Sequence, residues 1–200
     1  MKEEVHHITA PTRKRVLLDT GVLISFFGRE NDKERTDKAK KLILYLQEQN
    51  FEILYSQRTQ NELMKKPSLT CTEFLTRTEF LKKCTLARYY SGNENWEEID
   101  CPWENIYSPW NGSKEESEIA ARIEIWLKKE KDLYDRGILL DAILNGCSYF
   151  IHENPKDFDK ISIEFLKEFK LSNINLLKVD EKEIDKIFNT KDLVEMVTKD

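Results

Sequence analysis

The sequence predicts an α/β protein with a mainly parallel sheet that is covered by helices on both faces. Two observations support this fold class. Short apolar runs, which suit buried strands, alternate along the chain with segments in which apolar residues recur at helical spacing. The chain has 200 residues, of which 40% are hydrophobic and 34% are charged, and this is enough for one domain with a full core.

In the first half of the chain, two predicted strands are each followed by two predicted helices. Its predicted strands, both apolar, span residues 15–19 and 51–55. Its predicted helices span residues 20–27, 36–49, 72–83 and the segment between Ser56 and Pro67. The helix at 36–49 is amphipathic, since one face carries Ala39, Leu42, Ile43 and Leu46. Gly28 ends the first helix, and Ser56 is a good N-cap for the helix that follows it.

The second half repeats the alternation of helices and strands. A capping box from Ser113 to Glu116 opens a helix that continues to Leu127. The next helix, at 133–145, ends at Gly146 and is apolar around much of its circumference, so we expect it to be largely buried. The remaining predicted elements are strands at 147–152 and 174–179, a helix at 157–170 and another helix from 181.

One domain is predicted over residues 15–180, between a polar tail at 1–14 and a helical tail at 181–200. Between residues 84 and 112 the helical pattern breaks down, and three tryptophans stand among acidic residues. We interpret this stretch as an insertion that packs its aromatic side chains on the main core. A lid that stacks on a substrate is the alternative interpretation.

Several classes of protein are excluded by composition. No apolar run approaches the roughly 20 residues that cross a bilayer, and the first residues lack the apolar core of a secretory signal. We therefore expect a cytoplasmic protein with no membrane partner. The four cysteines form no Cys-x-x-Cys pair and, with three histidines, show no zinc spacing, so we expect reduced thiols.

The net charge of −5 argues against an extended, sequence-blind surface for nucleic acid. It does not exclude a nuclease, because an enzyme that holds divalent cations in a carboxylate cluster can bind a phosphodiester through the metal. Further contacts to phosphates would then come from local basic patches such as Arg13-Lys14-Arg15, although such patches are more often solvated surface.

Candidate functional residues are those that directly follow the predicted strands. In an open parallel sheet, ligands bind beyond the carboxyl ends of the strands. This rule selects Asp19, the Ser56–Glu62 segment and the His152–Asn154 segment, and Asp135 could join them from the start of its helix. Several carboxylates at strand ends suit Mg²⁺ or Mn²⁺, which prefer oxygen ligands.

Each candidate also has a purely structural explanation. Asp19 could only cap the helix that begins at Thr20, and a glutamate at position 62 could be an ordinary surface residue. Asp135 could form a salt bridge or lie in an exposed first turn. Asp141 is in the same helix about 120° away, so one metal should not bind both, and at least one of the two needs a partner if it is buried.

The sequence resembles the PIN-domain family through four short motifs. The stretch Val16-Leu-Leu-Asp19-Thr-Gly-Val-Leu-Ile resembles the opening motif, a strand that ends in aspartate before an apolar helix. Ser56-x-x-Thr59-x-x-Glu62 is similar to the second motif. Asp135-x-x-Ile138-x-x-x-Ala142, followed by Gly146, Tyr149-Phe-Ile and Asp157-Phe158, resembles the third and fourth motifs. Order and spacing agree over roughly residues 15 to 160.

The resemblance implies a three-layer α/β/α sandwich and the cleavage of single-stranded RNA with Mg²⁺ or Mn²⁺. On this basis, Asp19, Glu62 and Asp135 would be catalytic metal ligands, with Asn154 as a weaker, uncharged ligand. Two positions depart from the family: His152 stands where Thr or Ser is usual, and Asn154 stands where an acid is usual. A second metal site should therefore be weakened, and His152 is either a general base, a phosphate contact or a strand-end residue bound by its neighbours.

The leading hypothesis is a metal-dependent endoribonuclease, a hydrolase similar to toxin-type PIN proteins. The resemblance leaves open whether it acts as the toxin of a toxin–antitoxin pair, with an antitoxin protein as partner, or as a standalone nuclease. The resemblance also leaves open whether the protein forms a homodimer. The alternative, favoured by Asn154, is a PIN-like module that binds RNA or protein with weak or no catalysis. An unrelated α/β enzyme with one catalytic aspartate is the third possibility, and it would leave Glu62 and Asp135 without a shared role.

Overall fold

A computed structural model describes residues 13–28, 32–64, 70–87, 119, 133–159 and 161–189. Within these residues, five strands form one sheet: β1 (Arg15–Leu18), β2 (Glu52–Tyr55), β3 (Thr85–Leu86), β4 (Tyr149–His152) and β5 (Ser172–Asn175). The strand order is β3-β2-β1-β4-β5, and every neighbouring pair is parallel. The predicted α/β class and mainly parallel sheet are thus confirmed.

The strand order places a topological switch point beside β1. β2 and β3 follow β1 in the sequence and lie on one side of it within the sheet. β4 and β5, which come later in the chain, lie on the other side of β1. In register, Val16 of β1 lies opposite Ile53 of β2 and Tyr149 of β4. The crevice beyond the carboxyl ends of β1 and β4 is therefore the position at which sheets of this kind bind ligands.

The described helices and strands lie close to their predicted positions, with three differences in the second half of the chain. The bounds of the helices are α1 (Thr20–Phe27), α2 (Lys33–Glu48), α3 (Gln57–Met64), α4 (Cys71–Leu81), α5 (Leu133–Leu144), α6 (Pro155–Phe158), α7 (Ile163–Glu168) and α8 (Ile184–Asn189). Helix α1 ends at Gly28, and Ser56 caps α3 by accepting a hydrogen bond from the Thr59 backbone N–H at 3.0 Å.

The first two differences fall after β4. The single helix predicted at 157–170 is divided into α6 and α7, because Pro155 starts a helical turn early and Ser162 caps a new helix by accepting from the Phe165 N–H. The strand predicted at 174–179 lies at 172–175 instead. Its register is set by pairing with β4, where Tyr149 lies opposite Ser172.

The third difference concerns the predicted C-terminal tail. After a short 3-10 helix (Glu181–Glu183), α8 buries Ile184 and Phe188, which are each 2% exposed, in the main core. The predicted boundary at residue 180 therefore does not separate this helix from the domain. Most of the predicted insertion and the helix predicted at 113–127 lie outside the described residues, apart from β3 and Ile119.

Successive side chains of the strands enter two different hydrophobic clusters. The first cluster takes Val16 and Leu18 of β1 together with side chains of α1, α2, α4 and α8. The second cluster takes Leu17 together with side chains of α5 and α7. Because neighbouring residues of a strand point to opposite faces, the two clusters lie on opposite faces of the sheet. Among the described residues, no helix is long and apolar enough to cross a membrane.

Candidate acidic site at the carboxyl edge of the sheet

Asp19 lies at the switch point, immediately after β1. Its backbone N–H donates to the Ile151 carbonyl of β4 at 2.9 Å, and its Oδ2 accepts from the Gly21 N–H at 3.3 Å. The side chain is 6% exposed. Asp19 thus caps α1, as the structural explanation requires, and it also holds a carboxylate in the crevice where the functional explanation needs one.

The electrostatic surroundings of Asp19 distinguish it from an ordinary helix cap. The pKa of Asp19 is raised to about 6, mainly by burial and to a smaller extent by the carboxylates of Glu62 and Glu153, while the backbone N–H groups of Thr20 and Gly21 oppose the shift. The neighbouring side chains that raise this pKa are therefore acids. Together with Asp19 they form a group of three acids, of which the sequence predicted Asp19 and Glu62 to lie together.

Glu153 lies in the His152–Asn154 segment that the strand-end rule selected, but the sequence analysis assigned it no role as a ligand. It follows β4 directly, is 8% exposed, and its Oε2 accepts a hydrogen bond from the Ser25 hydroxyl of α1 at 2.9 Å. Strand alternation explains its direction: His152 enters the second cluster, so the next side chain turns toward α1. The sequence indicates this direction. Glu153 is two residues after Ile151, so the two side chains point to the same face of the sheet, and Ile151 belongs to the first cluster.

Glu62 is exposed on α3, and the start of this helix is held against α1 by buried hydroxyl groups. Thr20 donates to Thr59 at 3.2 Å, and the hydroxyls of Thr59 and Ser56 lie 3.0 Å apart. Glu62 is three residues beyond Thr59 and therefore shares its helix face. These contacts place Glu62 near enough to Asp19 to influence its pKa.

Asp135 lies in the first turn of α5, and its side chain is outside the described part of the chain. The direction of α5 is nonetheless clear. Its last turn lies at the amino end of the sheet, where the Asn145 carbonyl accepts from Arg15 Nη1 at 2.9 Å. The first turn must then approach the opposite edge, where Asp19 lies, because the helix runs about 18 Å along its axis.

The fourth predicted position, Asn154, precedes α6 without capping it through its side chain. Its backbone N–H donates to Nδ1 of His152 at 3.1 Å. His152 is fully buried beside the rings of Phe150 and Phe158, and burial lowers its pKa to about 4. This placement favours a neutral histidine that is bound by its neighbours over a general base or a phosphate contact.

The basic patch before β1 does not belong to the site. Arg15 Nε donates to Glu52 Oε2 at 2.8 Å, and Lys14 Nζ donates to the Phe188 carbonyl at 3.4 Å. Both contacts are at the amino end of the sheet, opposite Asp19. Arg15 and Lys14 therefore tie secondary-structure elements together at the end away from the candidate site.

The donor chemistry at the carboxyl edge suits a hard divalent cation, because Asp19, Glu62 and Glu153 offer oxygen ligands only. Among the residues with described side chains, however, no three acidic, histidine or cysteine groups are close enough together to hold a metal ion. Asp135, the third predicted ligand, is not among those side chains. The described residues thus supply part of a ligand set.

Asp141, in contrast, has a cationic partner. It is 1% exposed on α5, and its Oδ2 lies 3.7 Å from Nη1 of Arg58 on α3. The sequence predicted that a buried carboxylate in this apolar helix needs a partner, and this contact confirms it.

In comparisons with known proteins, no family model matches the chain, and no curated protein is significantly similar to it in sequence.

Proposed function

We propose that the protein is a metal-dependent endoribonuclease of the PIN kind, built as a three-layer α/β/α sandwich, that hydrolyses phosphodiester bonds of single-stranded RNA with Mg²⁺ or Mn²⁺. The observation that carries the proposal is the placement of Asp19. It is a buried carboxylate at the switch point of a parallel sheet, and two further carboxylates raise its pKa.

Such an arrangement is unfavourable in the absence of a cation. A buried charge is costly unless it is paired or bound to a metal, and like charges nearby add to that cost. A divalent ion would offset all three charges at once. Asp19, Glu62 and Asp135 would hold the ion, as the resemblance implies, and Glu153 would supply the negative charge that Asn154 lacks.

Several residues around the candidate site then have a defined task. When bound, the ion supplies positive charge beside the phosphodiester and lowers the pKa of water. The Ser25 hydroxyl orients the Glu153 carboxylate, and the hydroxyls of Thr20 and Thr59 fix the start of α3 next to α1. These bonds are buried, so the Glu153 carboxylate and the start of α3 are held in place without an ion.

Within this function, the role of toxin in a toxin–antitoxin pair remains a proposal, as do cytoplasmic location and a homodimer. Exposed apolar side chains on α1 and α4 would suit an antitoxin peptide. They are Ile24, Phe74 and Leu75, with exposed fractions of 37%, 46% and 55%.

A second candidate function is a PIN-like module that binds RNA or a protein with weak or no catalysis. One observation favours it: the predicted fourth ligand is the uncharged Asn154.

The test is cleavage of single-stranded RNA by wild type, Asp19→Asn and Asp32→Asn, each with Mn²⁺ or with chelator. Asp32 is a matched control because it also caps a helix, α2, by accepting from the Arg35 N–H at 3.1 Å. We expect Mn²⁺-dependent cleavage by wild type and Asp32→Asn, and none by Asp19→Asn. Equal cleavage by all three proteins would reject the nuclease, and RNA binding without cleavage by wild type would support the binding module.

A further inference from the structure

A buried ion pair joins the two helices that carry Glu62 and Asp135. Arg58 of α3 is 5% exposed, and Asp141 of α5 is 1% exposed. Arg58 Nη1 lies 3.7 Å from Asp141 Oδ2. The two helices are therefore connected by charged groups that the proposed chemistry does not use.

Gly137 provides the space that this pair needs. A Cβ atom at position 137 would collide with the guanidinium group of Arg58. Gly137 and Asp141 are four residues apart on α5, so they lie on one face of the helix. Arg58 thus lies along one full turn of α5, and this contact restricts both sliding and rotation of α3 against α5.

Stability alone does not explain this arrangement. Burial raises the pKa of Asp141 to about 7 even though Arg58 opposes the shift. Replacing a buried ion pair by apolar residues of similar volume is often neutral or stabilising. The pair is more readily explained by the geometry that it imposes, because a charged pair and a glycine fix one relative position of two helices.

We propose that Arg58, Gly137 and Asp141 form a positioning clamp that sets α3 against α5 and thereby sets Glu62 relative to Asp135. Glu62 is one turn beyond Arg58 on α3, and Asp135 is two residues before Gly137 on α5. The three clamp residues act through these carboxylates and do not bind the ion themselves. The inference rests on the proposed function, since it assumes that Glu62 and Asp135 bind one divalent ion.

The test separates positioning from stability with the double variant Arg58→Met/Asp141→Leu. Thermal unfolding of the metal-free protein and calorimetric titration with Mn²⁺ are measured for the double variant and for each single variant. Each single variant should unfold at a lower temperature, because it removes one partner of the buried Arg58–Asp141 ion pair and leaves the other in place. The double variant should recover the wild-type Tm but bind Mn²⁺ about 10-fold more weakly, the effect typical of losing an outer-shell partner.

Phe165→Leu is the matched control for loss of stability, because Phe165 is 2% exposed in the second cluster on α7, which is neither of the clamped helices. It should lower the Tm and leave the Mn²⁺ affinity unchanged. A double variant with wild-type Tm and wild-type Mn²⁺ affinity would overturn the clamp alone. Absence of Mn²⁺ binding by wild type would overturn the proposed function and, with it, the role of the clamp.

Arg58→Lys gives a second test that does not depend on folding of the double variant. Lysine keeps the charge but lacks the planar group that spans Gly137 and Asp141. We expect about 10-fold weaker Mn²⁺ binding, together with faster amide exchange in α3 of the metal-free protein. Unchanged affinity in a folded Arg58→Lys protein would overturn the proposal.

Discussion

The two ends of β1 carry charged residues in opposite electrostatic surroundings. At the amino end, Arg15 donates to Glu52 and to the Asn145 carbonyl, and its hydrogen bond lowers the pKa of Glu52. At the carboxyl end, burial and two neighbouring acids raise the pKa of Asp19. The Arg15–Glu52 ion pair at the amino end stabilises the sheet, whereas the neighbouring acids at the carboxyl end destabilise it.

The destabilisation at the carboxyl end is large. A pKa raised from 3.8 to about 6 corresponds to roughly 3 kcal/mol of unfavourable interaction for the ionised carboxylate of Asp19. That is a large fraction of the 5–15 kcal/mol that stabilises a typical domain, by order of magnitude. Proteins keep unfavourable groups of this kind at sites where function requires them.

The largest expected effect is on binding of Mn²⁺ at the acidic end. Asp19→Asn should weaken Mn²⁺ binding by about 100-fold or more, because it removes a buried, charged ligand of the proposed site. Glu52→Gln, at the other end of the sheet, should leave the affinity unchanged. Isothermal titration calorimetry measures both. Equal losses in the two variants would show that the two ends do not differ in the way proposed.

The second effect concerns stability of the metal-free protein. The folded-state pKa of Asp19 is raised, so folding favours the protonated form and stability falls as the pH rises from about 4 to about 6. Above that range, Asp19→Asn should be more stable than wild type by up to about 3 kcal/mol, since the amide keeps the helix cap without the charge.

Urea unfolding at pH 8 and at pH 4 measures this difference, which should vanish at the lower pH. Asp32→Asn serves as the control for the cap, because Asp32 also accepts from a backbone N–H of its helix. Asp32 is in addition paired with Arg35 Nε at 2.7 Å, so its amide variant should be slightly less stable than wild type at pH 8. A loss of stability in Asp19→Asn at pH 8 would mean that the carboxylate is stabilising, like that of Glu52, and the contrast between the two ends would disappear.

The third effect is the pH dependence of metal binding. A ligand carboxylate must lose its proton to bind an ion, so Mn²⁺ affinity should rise with pH and level off above the Asp19 pKa of about 6. Between pH 6 and pH 5 the affinity should fall by up to about tenfold. Titrations across this range in buffers of equal ionic strength provide the measurement. A constant affinity would exclude Asp19 as a ligand.

The fourth effect distinguishes Glu153 from Asn154 as the charged group at the end of β4. Glu153→Gln should weaken Mn²⁺ binding by about tenfold, because it removes one of the charges that act on Asp19. Asn154→Ala should have a smaller effect, since an amide oxygen brings no charge. If Asn154→Ala has the larger effect, the ligand is Asn154, and Glu153 serves only to receive the Ser25 hydrogen bond.

Sequence alone predicted the parts of the site that depend on local patterns. Asp19 follows an apolar strand, and Ser56 caps a helix, and both features are set by neighbouring residues. Glu153 and Arg58 were missed for a different reason. The direction of Glu153 depends on which face His152 occupies, and the partner of Arg58 is 83 residues away on α5. The long-range pairing of Arg58 with Asp141 leaves no periodic signal in one sequence, whereas the direction of Glu153 follows from strand alternation once the strand before it is placed.

The smallest expected effect is the loss of the Arg15–Glu52 ion pair at the amino end of β1. The Arg15 and Glu52 side chains are 33% and 26% exposed, so their ion pair should contribute only about 0.5 kcal/mol, well below the effect at Asp19. Arg15→Met should therefore lower stability slightly at pH 7. The lowered pKa of Glu52 means that this contribution is lost as the pH falls, which is the opposite of the Asp19 profile. Urea unfolding across pH measures the effect, and unchanged Mn²⁺ affinity would assign Arg15 to structure alone.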